Sequence, residues 1–293
     1  MRELVNTYWA NTPNATVAPN IPRIQGIALA GDVAQLAANG QDLVQLDSND
    51  FYQVILQRLQ VASETQEWEE DFRALFQLDR QENGRCITCG HERLIARIPE
   101  TGILLNVPTA TTTFNAALSR FFQERRTFHC AICVADTIHL VTTSIQAGPQ
   151  ILKIKLAIFQ MKKAEKKDKN GNPQPATEHK INHRMAHPNI LDLTQYQENA
   201  HLPLRYRLSS VISHSGEGTE TAGGHYIASV RGPGDRITCI SDSTTEIFTQ
   251  AQFEASPQVA GISPPAKDVY VLTYLRDDGR LQREMKNLES TLN

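Results

Sequence analysis

The sequence predicts an α+β fold, and three observations predict it. Apolar residues recur at helical spacing in three segments before residue 125; they alternate with a period of two from about residue 150; and two CxxC pairs flank the stretch between residues 86 and 133. Helices first and an antiparallel sheet later is an α+β order.

The first helix is read over 48–60, where Phe51, Val54, Ile55 and Leu59 make one stripe and Ser48 or Asn49 is available as N-cap. Trp68, Phe72, Leu75 and Phe76 make a second stripe, and Phe114, Leu118, Phe121 and Phe122 a third. All three read as core packing. The period then changes. Leu152, Ile154, Leu156 and Ile158 alternate, and Tyr206, Leu208 and Ile212 are expected on one face of the next strand. HYIASV, ITCIS and DVYVLTYL continue as strands, separated by the turn Arg231-Gly232-Pro233-Gly234-Asp235 and by a longer Pro-containing loop. The segment between the cysteine pairs reads as an inserted module, and the residues after Tyr274 as a polar tail or peripheral helix.

At 293 residues the chain exceeds the usual ~100–200 of one domain, yet single folds with insertions reach this length. A net charge of −3 provides no global field to gather nucleic acid or an anionic membrane. The lysine-rich run Lys162–Lys169 leads into a turn and reads as a solvated loop, so no nucleic-acid partner is expected. The opening residues contain no apolar run of signal-peptide length, and no apolar stretch reaches the ~18 residues of a membrane span. An intracellular location, cytoplasmic or nuclear, is expected; the sequon at Asn14 then carries little meaning.

Cys86-Ile87-Thr88-Cys89 and Cys130-Ala131-Ile132-Cys133 are the strongest chemical signal. Each CxxC turn brings two thiolates to one ion, and two turns complete a tetrahedral Cys₄ zinc site of the structural kind. Disulfides are disfavoured in a reducing compartment, and a redox pair needs a single CxxC beside a βαβ unit. His91 and His129 are read as neighbours, since four thiolates already fill the tetrahedron. Cys239, in an alternating strand with no helix start to lower its pKa, reads as a structural thiol.

His225 follows a glycine-rich approach, Gly216 to Gly224, and enters a strand directly. A phosphate-binding loop needs the opposite order, with a helix after the glycines. On its own residues His225 reads equally as a partly buried histidine or as a general base. The surrounding run decides for the latter: Tyr206-Arg207-Leu208-Ser209-Ser210-Val211-Ile212-Ser213-His214-Ser215-Gly216, then Gly224-His225-Tyr226-Ile227-Ala228, resembles the histidine box of the ubiquitin-specific proteases. QLDSNDFYQVILQRL at 45–59 resembles that family's Gln-Asp helix motif, the CxxC pairs its zinc-bearing fingers, HPNILDLTQY at 187–196 its Pro-x-x-Leu-Asp-Leu segment, and DVYVLTY at 268–274 its closing core strand.

This resemblance implies a papain-like fold over residues 1–276 with zinc-bearing fingers at roughly 80–160, a sheet-built palm and a partial helical thumb. It implies ubiquitin or ubiquitinated proteins as the ligand, and thiol-dependent hydrolysis of ubiquitin conjugates as the activity. His225 takes the place of the general base, and Asp242, second in the stretch Ile240-Ser241-Asp242-Ser243, that of the group orienting it. The nucleophile is absent, because nothing before residue 45 resembles the family's Asn-Thr-Cys segment. Leu46 and Asn49 also depart from the usual Gln and His, and ILKIKLAIF lacks the usual Leu-Lys-Arg-Phe ending. Two functions follow as expectations: a deubiquitinase whose cysteine lies in a segment upstream of these residues, or a ubiquitin-binding pseudoenzyme.

Overall fold

The computed structural model describes residues 47–61, 65–162, 177–200, 202–216, 224–232, 236–241, 244–249 and 266–278. The lysine run beyond 162, Asp242 and the polar tail from 279 lie outside them. Helix α1 spans Ser48–Val61 and α2 spans Gln66–Phe76. The Thr65 hydroxyl caps α2 by accepting from the Trp68 amide at 3.2 Å, and Trp68 Nε1 donates to the Leu59 carbonyl in the last turn of α1 at 2.8 Å. Burial in α1 departs from the expected stripe: Leu56 is buried, whereas Phe51 is 44% exposed. The cause lies in what holds the helix. Asp47 and Asn49 at its start bond to Lys155 and Lys153 of the sheet, and Tyr52 sits beneath the Lys153 ammonium, so the Asn49–Tyr52–Leu56 line turns inward.

Strands β1 (Leu78–Cys86), β2 (Glu92–Glu100), β4 (Gln123–Cys130) and β5 (Ala135–Ala147) form an antiparallel sheet in the order β2-β1-β5-β4. Between them in sequence, β3 (Ile103–Asn106) and α3 (Phe114–Phe122) leave that sheet for the main body. The Thr113 hydroxyl caps α3, which buries Phe114, Leu118 and Phe122 as their spacing predicts. The middle of the four-stranded sheet is held by charge. Glu82, 5% exposed, accepts from Arg126 at 2.7 and 3.2 Å and from Arg80; Arg80 in turn donates to both oxygens of Glu100 at 2.8 and 3.0 Å. Bidentate, multiply bonded pairs of this kind carry more energy than isolated surface pairs.

The remaining strands build the larger sheet and its margins. They are β6 (Ile151–Ala157), β7 (Phe159–Lys162), β8 (Thr177–Lys180), β9 (Arg184–Met185), β10 (Ile190–Asp192), β11 (Arg205–Ser215), β12 (His225–Arg231), β13 (Ile237–Ser241), β14 (Thr244–Phe248), β15 (Ala266–Lys267) and β16 (Val269–Arg276). The sheet runs β14-β13-β12-β11-β16-β6-β3, with β10 paired to the start of β11. The β3–β6 pair is parallel and the other pairs of this sheet are antiparallel. Leu152, Ile154, Leu156, Leu208, Leu272 and Tyr274 are fully buried. On β11 the expected face breaks after Leu208: Val211 is buried and Ile212 only half-buried. A register shift between Leu208 and Ser210 inserts one residue, and a bulge of this kind moves every later side chain to the other face.

Between β8 and β10 the chain buries two histidines. His183 and His187 are 4% and 2% exposed, each with Nδ1 facing a backbone carbonyl two residues back, at 3.2 and 3.1 Å. Burial lowers the pKa of both. The unfolded chain takes up protons near the ordinary histidine pKa of about 6.5, while the folded chain resists until a lower pH. Stability is therefore expected to fall as pH drops through that window. Urea midpoints should decline from pH 7.5 to pH 5.5, with a shallower decline in His187→Leu; identical slopes would show that His187 does not carry the effect.

Candidate functional site

Strand β12 begins at His225, and the backbone before it admits only glycine. Gly224 has φ +82°, and a Cβ there would lie 2.3 Å from Cε1 of the His214 ring. The chain thus passes directly against His214, which is fully buried between the rings of Phe159 and Tyr226 at 5.1 and 4.8 Å. Lys180 fixes the other side of the loop: its ammonium donates to the carbonyls of His214 and Gly216, both at 2.6 Å, and pairs with Asp268 at 3.3 Å. Ser215 pairs with His225 across the strands, and its hydroxyl donates to the His225 carbonyl at 3.1 Å.

The half-buried His225 ring reaches diagonally to β13, where Ser241 Oγ lies 2.7 Å from Nε2. Ser241 as the contact is not expected from sequence, where the resemblance gives the orienting place to the adjacent Asp242. A hydroxyl both donates and accepts, so it orients the ring in either tautomer, but it brings no charge to balance an imidazolium.

Next to His225, Tyr226 joins a second cluster. Its hydroxyl is 3.4 Å from Asp47 Oδ1, and the Tyr270 hydroxyl donates to Asp47 Oδ2 at 2.8 Å. The same carboxylate accepts from the Asn49 amide at 3.0 Å and pairs with Lys155 at 3.3 Å. Asp47 is 3% exposed, so these bonds replace the water it has lost. The motif at 45–59 contains this residue, yet nothing in its spacing announces bonds to α1 and to three strands.

The four paired cysteines converge, as the sequence predicts. Their sulfurs all lie within 4.8 Å of one another, with Cys86–Cys133 at 3.9 Å and Cys89–Cys130 at 3.5 Å. A tetrahedral zinc with Zn–S near 2.3 Å sets sulfurs about 3.8 Å apart, so the arrangement fits that ion and not a disulfide. Both turns close alike: Gly90 N donates to Cys86 O, Val134 N donates to Cys130 O, and each donor residue has positive φ. A hydrogen bond from the Thr137 hydroxyl, with backbone amides of the turn, draws the Cys86 thiol down to about 5. The fifth thiol differs. Cys239 is buried, its pKa is raised by that burial, and it lies 3.3 Å from Ser229. Ser229 stands four residues along β12 from His225, roughly 13 Å at strand rise. Each of the five cysteines is thus placed, and none beside the His225 ring.

No helix among the described residues is long and apolar enough to cross a membrane. Residues 1–274 match the family model described as ubiquitin carboxyl-terminal hydrolase. Ubiquitin carboxyl-terminal hydrolase 10 of Saccharomyces cerevisiae is 28% identical over 144 residues, which is 49% of this chain and 16% of that protein. Among solved structures, the SAGA DUB module Ubp8/Sgf11/Sus1/Sgf73 bound to monoubiquitin superimposes with a TM-score of 0.62 at 17% identity, covering 85% of this chain and 52% of the matched one. The same module bound to ubiquitin aldehyde gives 0.61, also at 17% identity, over 85% and 52% of the two chains. The chain therefore has the α+β fold of these proteins, as expected, and spans about half the length of the solved chains and less of the curated relative.

The Ser241 contact is open to a direct check. In long-range 1H–15N spectra at alkaline pH, Ser241→Ala should move the His225 Nε2 resonance with little change in Tm. An unmoved Nε2 resonance would mean that the hydroxyl does not hold the ring.

Proposed function

Because the chain belongs to the ubiquitin carboxyl-terminal hydrolase family, we propose that it recognises ubiquitin or ubiquitinated proteins and that His225 is the general base of thiol-dependent hydrolysis of ubiquitin conjugates. The observation that carries this reading is the built approach to His225, where Gly224, Lys180 and Ser241 hold the ring at the start of β12. With Nε2 facing Ser241, the other nitrogen, Nδ1, takes the thiol proton and later returns it to the leaving lysine amine. Asp242, adjacent to Ser241, is the acidic residue proposed to balance the imidazolium. The thiol is a separate requirement that none of the five cysteines meets where they stand. That observation favours a second reading, in which these 293 residues bind ubiquitin without cutting.

The two readings separate experimentally. The 293-residue chain should bind monoubiquitin with a Kd on the order of micromolar and leave an electrophilic ubiquitin probe unmodified. If the endogenous product is longer and reacts with the probe, His225→Ala should slow that reaction by about 10²–10⁴-fold. Absence of ubiquitin binding would remove the recognition claim, and a probe adduct on Cys239 would overturn its assignment as an inert thiol.

We further propose zinc as the ion of Cys86, Cys89, Cys130 and Cys133, supported by the sulfur separations. Bound there it is structural, with four thiolates and no open position for chemistry. It closes the tip of a sheet whose middle rests on the Glu82 ion pairs, and a zinc–thiolate site, which requires reduced cysteines, supports an intracellular location. About one equivalent of zinc per chain is expected by elemental analysis. Cys89→Ser should lower both zinc content and Tm; a metal-free protein of unchanged Tm would refute the assignment.

A further inference from the structure

Strand β6 places two lysines on the face that α1 covers, in a sheet otherwise packed with apolar side chains. Lys153 and Lys155 alternate with Leu152, Ile154 and Leu156, which are fully buried on the opposite face. Lys155 is balanced by Asp47 at 3.3 Å. Lys153 has no such partner. It is 4% exposed, its ammonium donates to Asn49 Oδ1 at 2.9 Å and lies 4.5 Å from the centre of the Tyr52 ring, and among the described residues it forms no ion pair.

An ammonium has three protons to donate, and a buried one with a single oxygen acceptor is under-solvated. Burial, with help from the neighbouring Lys155 charge and against the pull of the Asp47 and Asp50 carboxylates, pushes Lys153 down to about 8, which still leaves it mostly cationic at neutral pH. The chain nevertheless builds a slot for this side chain. Gly102 runs against it so closely that a Cβ there would meet Lys153 Cε at 3.0 Å and the Lys153 carbonyl at 2.7 Å.

Lys153 and Lys155 line a cavity of about 570 Å³ between α1, α2 and the β2–β3 turn. Asn49, Gln53, Gln77 and Thr101 supply amide and hydroxyl groups to its wall. Glu100 is also at the wall, but its carboxylate is bonded to Arg80. The volume is that of a small-molecule pocket, and the few polar groups are of the kind that orient a ligand. Lys155 is matched by Asp47 and Glu100 by Arg80, and among the described residues no carboxylate stands within ion-pair distance of the Lys153 ammonium; Asp50, bonded to Asn49 at 3.5 Å, acts on it from further away. A buried ammonium at the wall of a cavity, touching no carboxylate, has room for a monoanion, and at neutral pH a carboxylate is one.

We propose that this cavity is a binding site for a small carboxylate, whose anionic group pairs with the Lys153 ammonium while the amides of the wall hold the rest of the molecule. The cavity lies apart from the histidine site: β6 is three strands from β12, which carries His225.

Acetate is the probe, with inorganic phosphate as the comparison anion. Lysine 13Cε–1Hε spectra of the full chain should show a saturable shift at Lys153 with acetate, and the Lys153 titration midpoint should rise toward the ordinary lysine range. Lys153→Met keeps the aliphatic stem and removes the buried charge, so it should fold, while the acetate-induced shifts at Asn49 and Thr101 weaken at least about tenfold in affinity. Lys153→Gln should behave the same way. No saturable shift at Lys153, equal affinity in both variants, or a preference for phosphate over acetate would each overturn the proposal.

Discussion

The carboxylate of Asp47 is the point on which the packing of helix against sheet depends. It is a buried anion at the start of α1, and its bonds reach the Asn49 amide on its own helix, the Tyr226 hydroxyl on β12, the Tyr270 hydroxyl on β16 and the Lys155 ammonium on β6. A charge so placed is tolerable only when its lone pairs are filled, and removing one partner from such a cluster typically costs about 3–5 kcal/mol. The geometry is therefore strongly determined: α1 must present Asn49, Tyr52 and Leu56 to the sheet, and Phe51 is left facing outward. Tyr226 transmits the same constraint to the residue before it, because the ring beside Asp47 belongs to the strand that starts at His225.

The four-stranded sheet solves a different problem. Its strands β1, β2 and β4 carry mostly polar and charged side chains, so it is stabilised at two points along its length. At mid-sheet Glu82 gathers Arg126 and Arg80, and at the tip four sulfurs close on a common centre. An ion-pair ladder and a thiolate cluster are both polar devices, and each takes the place of a hydrophobic core that a thin sheet cannot form. The larger sheet needs neither, since Leu152, Ile154, Leu156, Leu208, Leu272 and Tyr274 are sealed within it.

Strong, local signals in the sequence survived into the structure. The α3 stripe, the alternation along β6 and the two CxxC turns depend on neighbours a few residues apart, and each appears where its spacing put it. Strands β1, β2 and β4 were not legible as strands, because LDRQENGRC, ERLIARIPE and QERRTFHC are dominated by charged and polar residues paired across the sheet. The face of β11 after Leu208 was misread for a related reason: a bulge is an event in the pairing of two strands, and one strand's alternation does not reveal it.

The sequence by itself determined the α+β class, the thiolate set, the histidine at the head of a glycine-rich loop and the resemblance that family membership bears out. These follow from residue types at fixed short spacings, which carry their chemistry wherever the chain goes. Only the tertiary structure decided that Ser241 touches His225, that Asp47 joins one helix to three strands, that Cys239 is turned to Ser229, and that Lys153 is buried with no ion pair among the described residues. Each of these joins residues 10 to 223 positions apart. Their meeting is set by strand register and by the need of every buried polar group for a partner, conditions that exist only once the sheet has formed.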